Sequence, residues 1–599
     1  MRKSIATVSV SGTLTEKLES IAAAGFDGVE IFENDLLACP LSPEEIRARA
    51  ADLGLGIDLY QPFRDFEAVP ADVLAGNLRR AERKFRVMER LGADLLLVCS
   101  NVSPAAIGDD ELAAEQLRLL AERAAEHGVR IAYEALAWGR HVNEYLHAWR
   151  VVRMADHPNL GTCLDSFHIL SRGSDPIGIE AIPGEKIFFL QLADAPLLAM
   201  DVLQWSRHYR CFPGQGNFDL AGLTASVLRA GYTGPLSLEV FNDVFRQASV
   251  ERTALDGMRS LIALEQSLDG AAHPAVPAGF AFAELADTGT LGGLLSALGF
   301  ARTGTHASKP VELWSQGEAR LLLNAGDRAA PAGDRAATDG RGAAPDGDQA
   351  AHDGPALVAI GLDSPDPGGA VKHAGSLLSP VLPRERAPED APLDAIAAPD
   401  GTEIFFCDTA WLADFGPGAA VAGAITRIDH VALTQPLHYF DEAALFYRSV
   451  LGLRPQESLE LPDPYGLLRS KAMSAPDGAV RMVVNIAQVG AGHHPWQHIA
   501  LACDDVVGTA RRLREEHPDL LLPIPDNYYD DLEARYEVDP ELRRLGVLYD
   551  RDGRGGEFLH LYTVTVGRVF FELVQRIGGY QGYGAGNAPI RLAVQHAGA

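Results

Sequence analysis

GTCLDSFHI, residues 161–169, is a short apolar strand that closes on an acid, Asp165, with an imidazole, His168, three residues further on. Its surroundings repeat the pattern. Strand-like runs stand at SIATVSV (4–10), GVEIF (28–32), GIDLY (56–60), DLLLVCS (94–100), RIAYEAL (130–136), GTCLDS (161–166), IFFLQLAD (187–194) and LSLEVF (236–241). Between them lie amphipathic runs such as TLTEKLESIAAAG, SPEEIRARAADLG and DDELAAEQLRLLAERAAEHG. Several begin at Ser, Thr or Asp and end at Gly, the start and stop signals of helices. Eight strand-then-helix units in about 270 residues match the count and length of a (β/α)8 TIM barrel, an α/β fold. An open doubly wound sheet is the alternative, but no GxGxxG follows the first strand.

In a barrel the C-terminal ends of the strands converge on one rim. That rim would gather Glu134, Asp165, Gln191 and Glu239 from the ends of the fifth to eighth strands. Three carboxylates in one mouth repel and desolvate each other, and a divalent cation relieves both effects. Three acid oxygens and one amide oxygen form a hard site suited to Mg2+, Mn2+ or Co2+ rather than to a thiol-seeking metal. The reading depends on register, because a slip of one residue turns a side chain to the other face of its strand.

The chain has 599 residues, is 47% hydrophobic and carries a net charge of −29. That acidity argues against a nucleic-acid or anionic-membrane partner, while leaving room for a local basic pocket and a small anionic substrate. Six cysteines, at 39, 99, 163, 211, 407 and 503, form no CxxC and fit a reducing compartment. No run approaches the ~20 apolar residues of a membrane helix, so a soluble, cytoplasmic protein is expected.

Residues 271–280, AAHPAVPAGF, read as a linker, which makes 1–270 the barrel. From 281 the texture changes. FAEL (282–285) aligns with HVAL (430–433), and LGF (298–300) approximately with LGL (451–453), which predicts two copies of a βαβββ module, 281–425 and 426–599. Residues 326–354, rich in Ala, Gly, Asp and Arg, cannot bury enough surface to order themselves and are expected to be a disordered insertion in the first copy. In the second copy His430, His498 and Glu572 fall on three separate strands, the His, His, carboxylate pattern of non-haem Fe(II) sites. In the alignment Phe282 faces His430, so the second copy alone keeps a ligand there.

Through YEAL, LDSFHI, FLQLAD and LSLEVF the first 270 residues resemble the xylose isomerase-like barrels, and among them the bacterial 3-dehydroshikimate dehydratases. Through DHVAL, QHIAL, FFELVQR and GYGAGN the region 280–599 resembles 4-hydroxyphenylpyruvate dioxygenase and the α+β vicinal-oxygen-chelate superfamily. The first resemblance implies that Glu134, Asp165, Gln191 and Glu239 bind the catalytic divalent metal. Some relatives carry His where Gln191 stands. The second implies that His430, His498 and Glu572 ligate a second divalent ion, Fe2+ or Mg2+. A two-part form of the dehydratase has this layout.

The implied reaction removes water from a β-hydroxy ketone, 3-dehydroshikimate, to give protocatechuate. It needs an electrophile on the ketone oxygen, a base for the α-proton and an acid for the leaving hydroxyl. His168 is the proton carrier expected, as either base or acid. The substrate's carboxylate calls for a cation, with Arg64 in YQPFRDF and Arg210 in QWSRHYRCF as candidates and Ser206 as an added donor. Self-association into a homo-oligomer stays open. Two other readings remain: a sugar or hydroxypyruvate-type isomerase on the same barrel, and an Fe(II) dioxygenase with the barrel as accessory.

Overall fold

A computed structural model of the chain describes residues 1–270, 276–326 apart from 288, 354–487 apart from 385, 417, 419, 420 and 465, and 496–598. It divides into two compact units, Met1–Ala271 and Ala272–Ala599. The expected disordered insertion, 326–354, falls almost wholly outside the described residues, as do 271–275 of the expected linker. Among the described residues no helix is long and apolar enough to cross a membrane.

The first unit is a closed barrel of eight parallel strands in sequential order: β1 (Lys3–Ala6), β2 (Gly28–Phe32), β3 (Gly56–Phe63), β4 (Leu95–Cys99), β5 (Arg130–Glu134), β6 (Leu160–Asp165), β7 (Ile187–Leu192) and β8 (Leu236–Leu238). Alternation fills the interior: Leu95, Leu97 and Cys99 of β4 pack with Leu59, Ala132, Cys163 and Phe189. The helix starts read from Thr13 and Ser42 are capping boxes, closed by Glu16 and Glu45. β1 is shorter than its sequence run, since residues 7–9 form a 3-10 turn, and β8 stops one residue before Glu239. The acids therefore sit at or just past the last residue of their strands. Glu134 ends β5 opposite Cys99, and Asp165 ends β6 opposite Gln191.

The second unit holds two mixed sheets. In the first, β9 (Gly279–Ala286), β10 (Ala301–Thr305), β11 (Val311–Gln316), β12 (Ala319–Asn324), β13 (Ala356–Asp363), β14 (Ala395–Ala397) and β15 (Glu403–Cys407) run in the order 10-11-12-9-13-15-14. In the second, β16 (Ile425–Pro436), β17 (Arg454–Asp463), β18 (Gly466–Ser474), β19 (Arg481–Ala487), β20 (Gln497–Cys503), β21 (Leu548–Arg551), β22 (Glu557–Tyr562) and β23 (Val569–Ile577) run 17-18-19-16-20-23-22-21. The shared order carries the repeat expected from FAEL and HVAL. Each repeat is itself a pair of strand-helix-strand halves joined at β9–β13 or β16–β20. β9 begins at Gly279, inside the stretch read as linker.

Candidate functional sites

The barrel rim encloses a cavity of about 490 Å³ whose wall includes Arg64, Glu134, His168, Ser206, Arg210 and Glu239. Burial governs its electrostatics. Glu134 is 2% exposed; Oε2 accepts a weak bond from Cys99 Sγ at 3.4 Å, and Oε1 is buried without a hydrogen-bond partner. Burial, reinforced by Asp165 and Glu239, pushes its carboxyl well above the usual range. Glu239 is pushed up to about 7, chiefly by burial, with Arg210 opposing. Burial would raise Asp165 too, but Arg210 and His168 hold it below its ordinary value.

Asp165 answers the question raised by its strand. Oδ1 accepts the backbone N–H of His168 at 3.1 Å and so caps the short helix Ser166–Leu170, while Oδ2 accepts Arg210 Nη1 at 2.8 Å. The same Nη1 reaches Glu239 Oε2 at 3.0 Å. Arg210 is 1% exposed, and its Nε and Nη2 donate to Ser206 Oγ at 3.1 and 2.9 Å. The arginine expected in a loop, facing a substrate carboxylate, thus points inward and links two of the acids. Arg64 lies in the cavity wall with its Nε buried and without a hydrogen-bond partner.

Gln191 is fixed from below. Its Nε2 donates to Glu30 Oε2 at 2.6 Å, and its Oε1 accepts from Cys163 Sγ at 3.3 Å. Glu30 also accepts from Gln61 and Ser237. Burial and Glu239 raise its carboxyl well above the usual range. The amide nitrogen being committed, the amide oxygen is the donor Gln191 has to offer.

His168 Nδ1 accepts the backbone N–H of Ala137 at 3.1 Å. Its Nε2 stands 3.2 Å from Arg210 Nη2, 3.8 Å from Glu134 Oε1 and 3.9 Å from Asp165 Oδ2, so both ring nitrogens meet N–H donors. Burial pushes its pKa down to about 3. One ligand atom from each of Glu134, Asp165 and His168 falls within 4.8 Å of the others. Four buried acids, Glu30, Glu134, Asp165 and Glu239, against one buried guanidinium, together with an orphaned carboxylate oxygen, fit a divalent cation.

Sequence reading missed Glu30, which sits inside β2 rather than at a strand end. It also missed Arg80, Arg207 and Arg246 in the cavity wall. Arg80 looked like the polar face of a helix. The other two follow β7 and β8, where the only available signal was position after a barrel strand.

In the second unit, His430 Nε2, His498 Nε2 and Glu572 Oε2 stand 3.2–3.4 Å apart. Adjacent ligands about 2.1 Å from one cation are separated by about 3.0 Å at right angles and about 3.4 Å at tetrahedral angles, so the spacing fits an ion. His430 Nδ1 bonds Asp429 Oδ1 at 2.9 Å, and Arg576 clamps Asp429 through Nε at 2.9 Å and Nη2 at 2.8 Å. This carboxylate fixes the tautomer whose Nε2 lone pair faces the other ligands. The first repeat has none of it. His430 pairs with Ala500, His498 with Ala432 and Glu572 with Ala500; the same registers give Phe282 with Gly361, Ala359 with Glu284 and Phe405 with Gly361. The ligand positions are thus Phe282, Ala359 and Phe405, buried in an apolar cluster.

Residues 18–264 match the family model of the xylose isomerase-like TIM barrel, and 427–555 that of the glyoxalase/bleomycin resistance protein/dioxygenase superfamily. The chain is 46% identical to a 3-dehydroshikimate dehydratase of Pseudomonas putida, over 99% of this chain and 98% of that one. It is 47% identical to a 3-dehydroshikimate dehydratase of Pseudomonas aeruginosa over the same shares. A solved structure described as a xylose isomerase-like TIM barrel/4-hydroxyphenylpyruvate dioxygenase fusion protein superposes with a TM-score of 0.87 at 44% identity, covering 100% of this chain and 99% of that one.

Proposed function

The chain belongs to the 3-dehydroshikimate dehydratase family, and from that premise we propose that the barrel rim is where water is removed from 3-dehydroshikimate to give protocatechuate. The protein is a hydro-lyase. One observation carries the assignment of the rim: an excess of buried acid, with Glu134 Oε1 orphaned, faces the same cavity as the partnerless Nε of Arg64. Glu134, Asp165, Gln191 and Glu239 would hold Mg2+, Mn2+ or Co2+, and that ion, when bound, supplies stabilisation for negative charge on the ketone oxygen.

The chain's own groups do the rest. Arg210 holds Asp165 and Glu239 in place and pins the Ser206 oxygen with two N–H groups, leaving the Ser206 proton free to point at substrate. Arg64 offers its buried Nε–H to the carboxylate. His168, neutral and with Arg210 Nη2 directed at its Nε2, is the proton carrier of the rim, as base or acid. In the second unit His430, His498 and Glu572 would hold Fe2+ or Mg2+, the imidazoles favouring Fe2+.

The test uses the whole chain, stripped of metal by a chelator and supplied with 3-dehydroshikimate. Ultraviolet absorbance of an aromatic product should appear only after Mg2+, Mn2+ or Co2+ is restored, and Glu134→Gln should abolish it. A replenished protein that forms no aromatic product, or a Glu134→Gln variant of full activity, defeats the assignment.

A further inference from the structure

Glu572 uses its two oxygens differently. Oε2 faces His430 and His498, while Oε1 accepts from His560 Nδ1 at 2.6 Å. His560 is wholly buried on β22, and its other ring nitrogen, Nε2, is met by Asn587 Nδ2 at 2.9 Å. The Asn587 amide is oriented by a second bond, Nδ2 to the Tyr549 carbonyl at 3.0 Å, so nitrogen, a donor, faces His560. Nε2 must then accept, and Nδ1 must carry the proton it gives to Glu572. Donation runs outward from Asn587, to the Tyr549 carbonyl on one side and through His560 to Glu572 on the other.

We propose that His560 is a positioning residue of the second unit's cation site: with Asn587 it occupies one oxygen of Glu572, so that the carboxylate offers a single oxygen beside the imidazoles and the remaining coordination positions stay open. A carboxylate free at both oxygens can chelate an ion through both and close one of those positions. The first repeat supports this reading from within the same chain. Tyr562 pairs with Glu572 and Ala395 with Phe405, so that register carried two residues back puts Leu393 at the place of His560, and the β9–β13 and β16–β20 registers put Ala281 at that of Asp429. Ligands and the groups that orient them are present together in one copy and replaced together by apolar residues in the other. A histidine kept only for packing has no reason to follow the ligands.

The experiment is Co2+ binding to the full-length protein, followed by the visible spectrum and by bound metal per chain, with His430→Ala marking the signal of this site. His560→Leu should weaken that signal's affinity by about ten- to a hundredfold and change its band shape. His560→Gln, whose amide can still donate to Oε1 and accept from Asn587, should restore most of both. Asn587→Ala, which touches no ligand, should produce a smaller loss in the same direction, and decides the matter if His560→Leu does not fold. Unchanged Co2+ affinity and spectrum in His560→Leu and Asn587→Ala, or a His560→Gln variant as impaired as His560→Leu at an equal melting temperature, overturns the proposal. Dehydratase turnover on the same preparations reports on the barrel alone, so failure of either reading is seen apart from the other.

Discussion

The two candidate cation sites solve the burial of acid in opposite ways. At the barrel rim, four buried carboxylates share one guanidinium, and the carboxyls of Glu30, Glu134 and Glu239 are pushed upward. In the second unit, Glu572 accepts from His560 and stands beside His430 and His498, and Asp429 is clamped by Arg576, so both are held far below the usual carboxylate range despite burial. The buried acids of the rim have one buried counter-charge between them, whereas the acids of the second site are each paired. A dication at the rim relieves repulsion, whereas at the second site it meets a carboxylate already held ionised.

The contrast can be broken at its largest expected effect. Glu134→Gln should lower dehydration by about a thousandfold or more, read as the rate of aromatic product formation, because it removes a carboxylate of the proposed cation site. Next, Arg210→Met removes the one internal counter-charge of Asp165 and Glu239 and should destabilise the barrel by about 3 kcal/mol or more in denaturant unfolding, partly recovered by added Mg2+ or Mn2+. Arg64→Gln should raise KM for the acid substrate about tenfold with kcat nearly unchanged; an unchanged KM removes it from the site.

Acidity provides a fourth separation. Since the metal-free Glu239 carboxyl is pushed up to about 7, protons compete with the cation below that pH. Rim affinity for Mn2+ should fall as the pH is lowered, by about tenfold per unit or more below pH 7, measured by titration at several pH values. Affinity that is flat down to pH 5 would mean that Glu239 is not a ligand. The smallest effect is the sharpest control: His430→Ala should abolish metal at the second site and change dehydration by less than about twofold.

What could be read from the sequence follows from how local the signal is. The barrel was legible because eight strands alternate with capped helices, and Glu134 and Asp165 because each ends its strand. The repeat was legible in FAEL and HVAL, and the β9–β13 and β16–β20 registers place Phe282 opposite His430 as that alignment does. The doubling within each repeat was not read: HIAL (498–501) repeats HVAL (430–433) in the second copy, but β13 carries no such motif in the first. The pairing of Arg210 with two rim acids was not legible, because its partners lie 45 and 29 residues away in sequence. His560 was invisible for the same reason: in EFLHLY it is one polar residue in an ordinary strand, and only β22–β23 pairing brings it to Glu572.

The inward turn of Arg210 has a consequence for how the enzyme comes into being. A tethered cation travels with the polypeptide, so the acids of the rim have a partner from the moment the strands close, before any ion from solution arrives. Assembly of the cylinder and its activation would then be separate events: protein depleted by chelation should keep its fold and regain turnover when the dication proposed for the rim is restored.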